Sequence, residues 1–147
     1  MVVAQSGLGL RIGEMLALRL EDVDFLRRTV RVEHQIDKRT RERVPPKTPR
    51  SRRTIRLPTV VAEALAEHIR DFPPTPSGLL FHASAGRPIR HEYYTSHAFG
   101  PAVARAKLPA GTTPHALRHA YASWLLAAGD SVIGVAERSG TRTRRSC

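Results

Sequence analysis

Three short stretches of the sequence place charged side chains at a helix end or a turn, where they could hold an anion. In GLRIGE (residues 9–14), Arg11 precedes Glu14 by three residues, a spacing that allows an ion pair on a helix. In PPKTPRSRRTI (residues 45–55), Lys47 lies on a proline-bounded turn. In TPHALRH (residues 113–119), His115 and Arg118 share the first turn of a predicted helix, whose N-terminus also favours an anion. Taken singly, each of these is more often a solvated surface residue, so the set has to be judged together.

The charge of the chain points to a polyanion as its partner. The 147 residues carry a formal net charge of +11, and all but three of the basic residues are arginine. A guanidinium can hold a phosphate with two hydrogen bonds, which favours nucleic acid over a membrane surface. A GC-rich genome would also enrich arginine over lysine, but it does not explain the excess of positive charge.

Composition excludes several other classes of protein. Hydrophobic residues make up 41% of the chain and charged residues 25%, which is typical of one globular domain. No apolar stretch approaches the roughly 20 residues of a membrane span, and no signal peptide is visible, so we expect a cytoplasmic protein. The single cysteine, Cys147, excludes an internal disulfide and any multi-cysteine metal site.

Periodicity predicts an α+β domain that is mainly helical, with a small antiparallel sheet after the first helix. Thr29 to Ile36 alternates as a strand does, and a second strand carries Ile55 and Leu57. Trp124, Leu125 and Leu126 are predicted to be core. The predicted helices are Leu10 to Leu20, Pro58 to about Phe72, about Glu92 to Ala106, Pro114 to Ala128 after a Thr113 cap, and about Ser131 to Arg138.

In order and type, the three charged stretches resemble the tyrosine recombinase (phage integrase) family. The matching text is GLRIGEMLAL (residues 9–18), KTPRSRRTIRLP (residues 47–58) and TPHALRHAYASWLLAAG (residues 113–129). The last run is long enough to make chance agreement improbable, and the resemblance extends from about Gly7 to Gly140. It implies the catalytic domain of that family over residues 1–140, with double-stranded DNA and full-length recombinase protomers as partners.

The resemblance implies a phosphoryl-transfer site that acts on DNA and uses no metal, no cofactor and no small-molecule substrate. In that family a tyrosine attacks a DNA phosphodiester and forms a 3′-phosphotyrosyl link, which a 5′-hydroxyl of another strand resolves. Arg11 and Arg118 match the arginines that hold charge on the non-bridging oxygens as phosphorus becomes five-coordinate. Lys47 matches the general acid that protonates the departing 5′-oxygen.

Further positions match supporting roles in the same family. His115 matches the histidine that hydrogen-bonds the phosphate and assists proton movement. Glu14 matches an acidic position that orients Arg11 through an ion pair. His119 and Tyr121 lie inside the family run, and we assign them to packing or support of the site.

The region between the two predicted strands is densely basic. Its cations are a candidate contact with the DNA backbone, which positions a protein without reading sequence; a solvated hairpin is the alternative. We assign backbone contacts to six of them: Arg39, Arg41, Arg43, Arg50, Arg52 and Arg53.

The end of the sequence departs from the family pattern. Thr141 stands where the family has a second histidine, and no tyrosine follows, so we expect the nucleophile to be absent and residues 141–147 to be an aberrant arginine-rich tail. Deleting one C from codons for Gly-His-Glu-Asn-Ala-Ala-Val-Val gives the residues from Gly140 to Cys147, which indicates a frameshifted gene or a sequencing error. The beginning also looks clipped, because family members usually carry a DNA-clamping domain before this one.

Two alternatives to a strand-exchange enzyme stay open at this point. One is a non-catalytic or dominant-negative fragment that occupies recombination sites. The other is a generic basic RNA-binding protein, against which stands an aromatic content of only 5%, without a visible platform for stacking bases.

Overall fold

The computed structural model describes residues 1–129 of the chain. The predicted helix from Ser131 to Arg138, Thr141 and the arginine-rich tail lie outside the described residues. The α-helices, in chain order, are α1 Val2–Leu8, α2 Ile12–Leu16, α3 Thr59–Asp71, α4 His91–Tyr93, α5 Gly100–Arg105 and α6 Pro114–Ala127. The strands are β1 Val23–Asp24, β2 Thr29–Val32, β3 Gln35–Ile36, β4 Arg43–Val44 and β5 Arg53–Arg56.

The strands form two small antiparallel sheets, where the sequence predicts one. β2 is the centre of a three-stranded sheet in the order β1-β2-β5, with Val30 opposite Ile55. β3 and β4 pair separately, with Ile36 opposite Arg43. The predicted strand from Thr29 to Ile36 therefore breaks after β2, and its two parts pair with different partners. Alternation alone could not show this break, because Val32 and Ile36 are both buried.

The first predicted helix, Leu10 to Leu20, is wrong at both ends. α2 ends at Leu16, and the chain then runs extended so that the Leu18 carbonyl accepts a hydrogen bond from the Leu80 N–H at 3.0 Å. A short 3₁₀ turn, Leu20–Asp22, follows. Helical spacing places Leu20 on the same face as Leu16, but Leu20 is 42% exposed, whereas Leu18 is buried in the core.

Helix α1 precedes the first predicted element and packs against α3 and α6. It ends at Gly9, which has a left-handed backbone (φ +62°) and is buried. A Cβ on Gly9 would lie 2.2 Å from a ring carbon of Tyr121 in α6, so only glycine allows this approach. The same residue therefore ends α1 and brings α6 against the turn that leads into α2.

The remaining helices predicted within residues 1–129 are present. α3 runs one residue inside the predicted Pro58 start, with Val61 and Leu65 buried as expected. The predicted helix from Glu92 to Ala106 is α4 and α5 joined by a π-helical stretch, Tyr94–Phe99, before Pro101.

α6 follows Thr113, whose side chain makes no capping hydrogen bond, so only the position of the predicted cap is right. The prediction that Trp124 and Leu126 are core is wrong, since they are 63% and 43% exposed.

Candidate active site

The centre of the candidate site is Glu14, a carboxylate that is almost completely buried. Arg11 is the residue before α2, and its backbone N–H donates to Glu14 Oε2 at 2.9 Å. The Arg11 guanidinium donates to Glu14 Oε1 at 3.0 Å. The predicted Arg11–Glu14 ion pair is therefore confirmed, and the same carboxylate also closes the first turn of α2. The Arg11 side chain is 42% exposed and the Glu14 side chain 1% exposed. Arg11 is therefore held by a buried carboxylate while part of its side chain faces the solvent.

A second arginine, Arg53 at the start of β5, grips both oxygens of Glu14. Its Nη1 lies 3.0 Å from Oε1 and its Nη2 lies 2.9 Å from Oε2, and the side chain is only 6% exposed. It also donates to the Ser51 carbonyl at 3.0 Å. Arg53 is one of the six arginines predicted to contact the DNA backbone, but its side chain is turned inward and paired with Glu14.

Arg118 brings α6 into the same cluster. Its Nη1 donates to the Gly9 carbonyl at 3.3 Å and lies 3.8 Å from Glu14 Oε2. The residue is only 6% exposed. Three elements that are distant in sequence thus meet at Glu14, and three guanidiniums surround one carboxylate.

Burial and charge set the protonation of these groups. Burial alone would raise the pKa of Glu14, but the hydrogen bonds and charges of Arg53 and Arg11 outweigh it and lower the pKa. Burial lowers the pKa of Arg118 to about 10, and the neighbouring Arg11 charge acts in the same direction. At neutral pH Glu14 is therefore ionised and Arg118 is still a cation, which leaves the cluster with excess positive charge.

A second buried ion pair repeats this arrangement beside β4. Asp22 accepts the Arg19 backbone N–H at 2.9 Å, and its Oδ2 also lies 2.9 Å from Arg43 Nη2. Arg43 donates from Nε to the Ala17 carbonyl at 2.9 Å, and its side chain is 14% exposed. Arg43 is also among the arginines predicted to contact the DNA backbone, but its side chain is likewise turned inward and paired with Asp22.

The other predicted site residues lie at the surface around this buried cluster. Lys47 is exposed on the segment between β4 and a 3₁₀ turn, Pro49–Ser51. His115 and His119 are exposed on α6, with their rings edge to face at 4.6 Å. His115 thus shares the first turn of α6 with Arg118 but points to the solvent, whereas Tyr121 is buried, as a packing role requires.

The four remaining arginines of the predicted backbone contact face outward. Three of them are exposed and Arg41 is half-buried at a left-handed turn (φ +62°). Arg39 and Arg41 line a pocket of about 250 Å³ between the β3–β4 hairpin and α4, where Lys38 and Glu92 form an ion pair at 3.1 Å. The exposed members of the set are Arg39, Arg50 and Arg52.

The inward direction of the Arg53 side chain could have been predicted from the sequence, although its partner could not. Residues two apart in a strand face the same side, so Arg53 shares a face with Ile55 and Leu57, which are apolar and buried. An arginine on the core face of a strand needs a buried acid, and Glu14 supplies it. The contribution of Gly9 has no such signal, because its partner Tyr121 is remote in sequence.

Comparisons with known proteins show the family and the fold of the chain. The sequence matches the family described as the phage integrase family over residues 1–143. It is 37% identical over 131 residues to a Sinorhizobium fredii (strain NBRC 101917 / NGR234) protein described as integrase/recombinase y4qK, covering 84% of this chain and 36% of that protein. A second protein of that strain, described as integrase/recombinase y4eF, is 33% identical and is matched over 92% of this chain and 48% of its own length.

Solved structures show the same fold. The Tn1549 transposon integrase in complex with transposon right end DNA superposes with a TM-score of 0.82 at 28% identity, over 97% of this chain and 50% of that chain. The XerA recombinase shares the fold, with a TM-score of 0.77 at 20% identity over 97% of this chain and 47% of that chain. The predicted α+β class of a tyrosine recombinase catalytic domain is confirmed.

The chain belongs to the phage integrase family. It spans at most about half the length of these curated relatives and solved structures. Within residues 1–129, no helix combines the length and apolar character needed to cross a membrane. Over the same residues, no three His, Cys, Asp or Glu side chains are grouped so that they could hold a metal ion.

Proposed function

We propose that this chain binds double-stranded DNA as the phosphate-binding part of a site-specific recombinase. The observation that carries the proposal is the buried cluster around Glu14, which holds Arg11 and Arg118 together with excess positive charge. Such a pair of cations suits a phosphodiester whose non-bridging oxygens gain charge as phosphorus becomes five-coordinate. The DNA complex of the Tn1549 integrase, with the same fold, supports this partner.

In the proposed chemistry, the exposed residues act on protons and the buried cluster holds charge. Lys47 protonates the 5′-oxygen as it departs, and His115 hydrogen-bonds a phosphate oxygen from the first turn of α6. Exposed Arg39, Arg50 and Arg52 contact the DNA backbone and fix the position of the duplex. Full-length recombinase protomers are the proposed protein partners.

A binding test separates this proposal from a generic basic surface. The 147-residue chain is titrated against fluorescein-labelled duplex DNA, and anisotropy is recorded from 50 to 200 mM salt. Binding should weaken steeply as salt rises, because counterions are released from each contacted phosphate. Arg11→Ala should reduce affinity more than the control Arg70→Ala, which removes an exposed arginine paired with Asp71 on α3. No binding at 50 mM salt, or equal losses in both variants, would contradict the proposal.

We further propose that this polypeptide binds DNA without cleaving it. Of the tyrosines in the described part of the chain, Tyr94 and Tyr121 are buried, and Tyr93 stacks on His97 with ring centroids 4.3 Å apart. None of the three matches the nucleophile position of the family. A nicked suicide substrate should therefore give no covalent protein–DNA adduct on a denaturing gel, while a full-length relative run in parallel does. A trapped adduct would refute this.

The same observation favours the second candidate function, a non-catalytic fragment that occupies recombination sites. If occupancy is its role, the Lys47→Ala variant should block cleavage of the site by a full-length relative as strongly as the unmodified chain does. A loss of blocking that is accompanied by normal duplex binding would exclude this second candidate.

A further inference from the structure

The cluster around Glu14 contains one more cation than the proposed chemistry uses. Arg11 and Arg118 are assigned to the phosphate, yet Arg53 makes the most complete contact with Glu14, through two hydrogen bonds of 3.0 and 2.9 Å. Arg118 stands further off, at 3.8 Å. Since a planar guanidinium and a carboxylate match each other's geometry, Arg53 is the principal partner of the Glu14 charge.

Arg53 is poorly placed to touch DNA itself. Its side chain is 6% exposed, and Nη1 is shared between Glu14 and the Ser51 carbonyl. An effect of Arg53 on DNA binding therefore passes through the groups it contacts, of which Glu14 receives two hydrogen bonds and the Ser51 carbonyl one. This separates it from its neighbour Arg52, which is exposed on the same segment.

The charge of the cluster shows what Arg53 would change. Three guanidiniums and one carboxylate leave a net charge of +2 facing an incoming phosphate. Without Arg53 the net charge would fall to +1, and the Glu14 carboxylate would compete with DNA phosphate for Arg11 and Arg118. In a buried site such competition is strong, because the local dielectric constant is low.

We propose that Arg53 is a positioning residue of the phosphate site: it neutralises Glu14 and so leaves the charges of Arg11 and Arg118 to DNA phosphate. This inference rests on the proposed function of DNA binding. Arg53 is not among the catalytic residues that the family resemblance implies. Its proposed role is to keep the Glu14 carboxylate from competing with DNA phosphate for Arg11 and Arg118.

The first experiment measures duplex DNA affinity by anisotropy for Arg53→Met, with Arg52→Met as the matched control. Arg53→Met should weaken binding about tenfold at low salt, as the loss of a phosphate contact does. Arg52→Met should weaken it less and lower the salt slope by about 1. The variant Arg53→Lys keeps the charge and should bind within about threefold of the unmodified chain. If Arg53→Lys binds as weakly as Arg53→Met, packing and not charge is responsible, and the inference fails.

Removing Glu14 as well gives a test that does not depend on Arg53→Met being folded. The double variant Arg53→Met/Glu14→Gln removes both members of the pair and restores the net charge of +2 from Arg11 and Arg118. Replacing a buried ion pair by neutral groups is often tolerated, so the double variant should fold, as checked by circular dichroism and urea unfolding. It should bind DNA more tightly than Arg11→Ala and Arg53→Met, because no carboxylate is left to compete with DNA phosphate for Arg11 and Arg118. Binding as weak as that of Arg53→Met, in a folded double variant, would overturn the inference.

The pH dependence gives a readout that a merely structural role would not produce. The charged groups facing Glu14 are Arg11 before α2, Arg53 on β5 and Arg118 on α6. Burial raises the pKa of Glu14, and the positive charges of Arg53 and Arg11 lower it. When Arg53 is removed, the pKa of Glu14 therefore rises above its value in the unmodified chain.

As pH falls from 8 to 5, Arg53→Met should therefore regain affinity relative to the unmodified chain, because a protonated Glu14 no longer competes for the arginines. The ratio of the two Kd values is the quantity compared, because any pH effect that both proteins share cancels in it. The ratio for the double variant should stay constant. A constant ratio for folded Arg53→Met would refute the inference, whereas a failure of the unmodified chain to bind DNA would refute the proposed function itself.

Discussion

Replacing Gly9 by alanine should destabilise the domain for two separable reasons. The backbone at Gly9 is left-handed (φ +62°), which costs an alanine about 1–2 kcal/mol. The new Cβ would also lie 2.2–2.8 Å from three ring carbons of Tyr121, so the buried ring or the backbone of α1 has to move. Overpacking of this kind costs about 1–3 kcal/mol, which brings the expected total to about 2–5 kcal/mol.

Gly111→Ala is the matched control, because Gly111 is also left-handed (φ +85°) but has no atom within 4 Å of the position that a Cβ would take. It should lose only the backbone contribution of about 1–2 kcal/mol. The assay is urea unfolding of both variants, followed by tryptophan fluorescence and circular dichroism. If Gly9→Ala and Gly111→Ala differ by less than about 0.5 kcal/mol, the contact between Gly9 and Tyr121 does not constrain the packing of α6, and the reasoning is refuted.

Two further perturbations test the buried polar contacts. Arg43→Met should lower the free energy of unfolding by about 3–5 kcal/mol, because it leaves the Asp22 carboxylate buried without its arginine. The exposed control Arg39→Met should change the free energy of unfolding by less than about 0.5 kcal/mol. Equal changes of the two variants in urea unfolding would contradict this prediction. Tyr94→Phe should cost about 1–3 kcal/mol at neutral pH, since it removes the hydroxyl that donates to the buried Gln5 side chain. Burial raises the pKa of Tyr94 above its ordinary value of 10, so the unfolded chain loses this proton first, and stability should fall above pH 10 in the unmodified chain but less so in Tyr94→Phe. The same alkaline slope in both proteins would contradict that assignment.

Local patterns in the sequence predict most of the secondary structure and one ion pair of the site. The i, i+3 spacing of Arg11 and Glu14 is a local property, so their contact could be expected from the sequence. The α3 stripe and the α6 start behave in the same way, because amphipathic spacing and a proline at a helix start act within a few residues.

What the sequence could not show are the contacts between distant segments. The pairing of Leu18 with Leu80 ends α2 early, and helical periodicity contains no information on such a partner. The density of arginine in the β region predicts a contact with the DNA backbone, yet Arg43 and Arg53 point inward because each pairs with an acid that is remote in sequence. The sequence gives the net charge of a region, but only the packing of the chain determines which charged side chains are exposed to solvent.

The two inward arginines, Arg43 and Arg53, also determine how the segment between them can vary. Arg43 bonds the Ala17 carbonyl at one end of this segment, and Arg53 bonds Glu14 at the other. Residues 45–50 therefore form a loop whose two ends are held by contacts that these residues do not make themselves. Doubling the length of a flexible loop costs only about 0.6 kcal/mol in closure entropy. Insertions or deletions between the anchors should therefore shift Lys47 relative to the rest of the site while hardly changing the stability of the domain. The position of Lys47 relative to the other site residues can therefore change through insertions or deletions in this segment without a change of the fold.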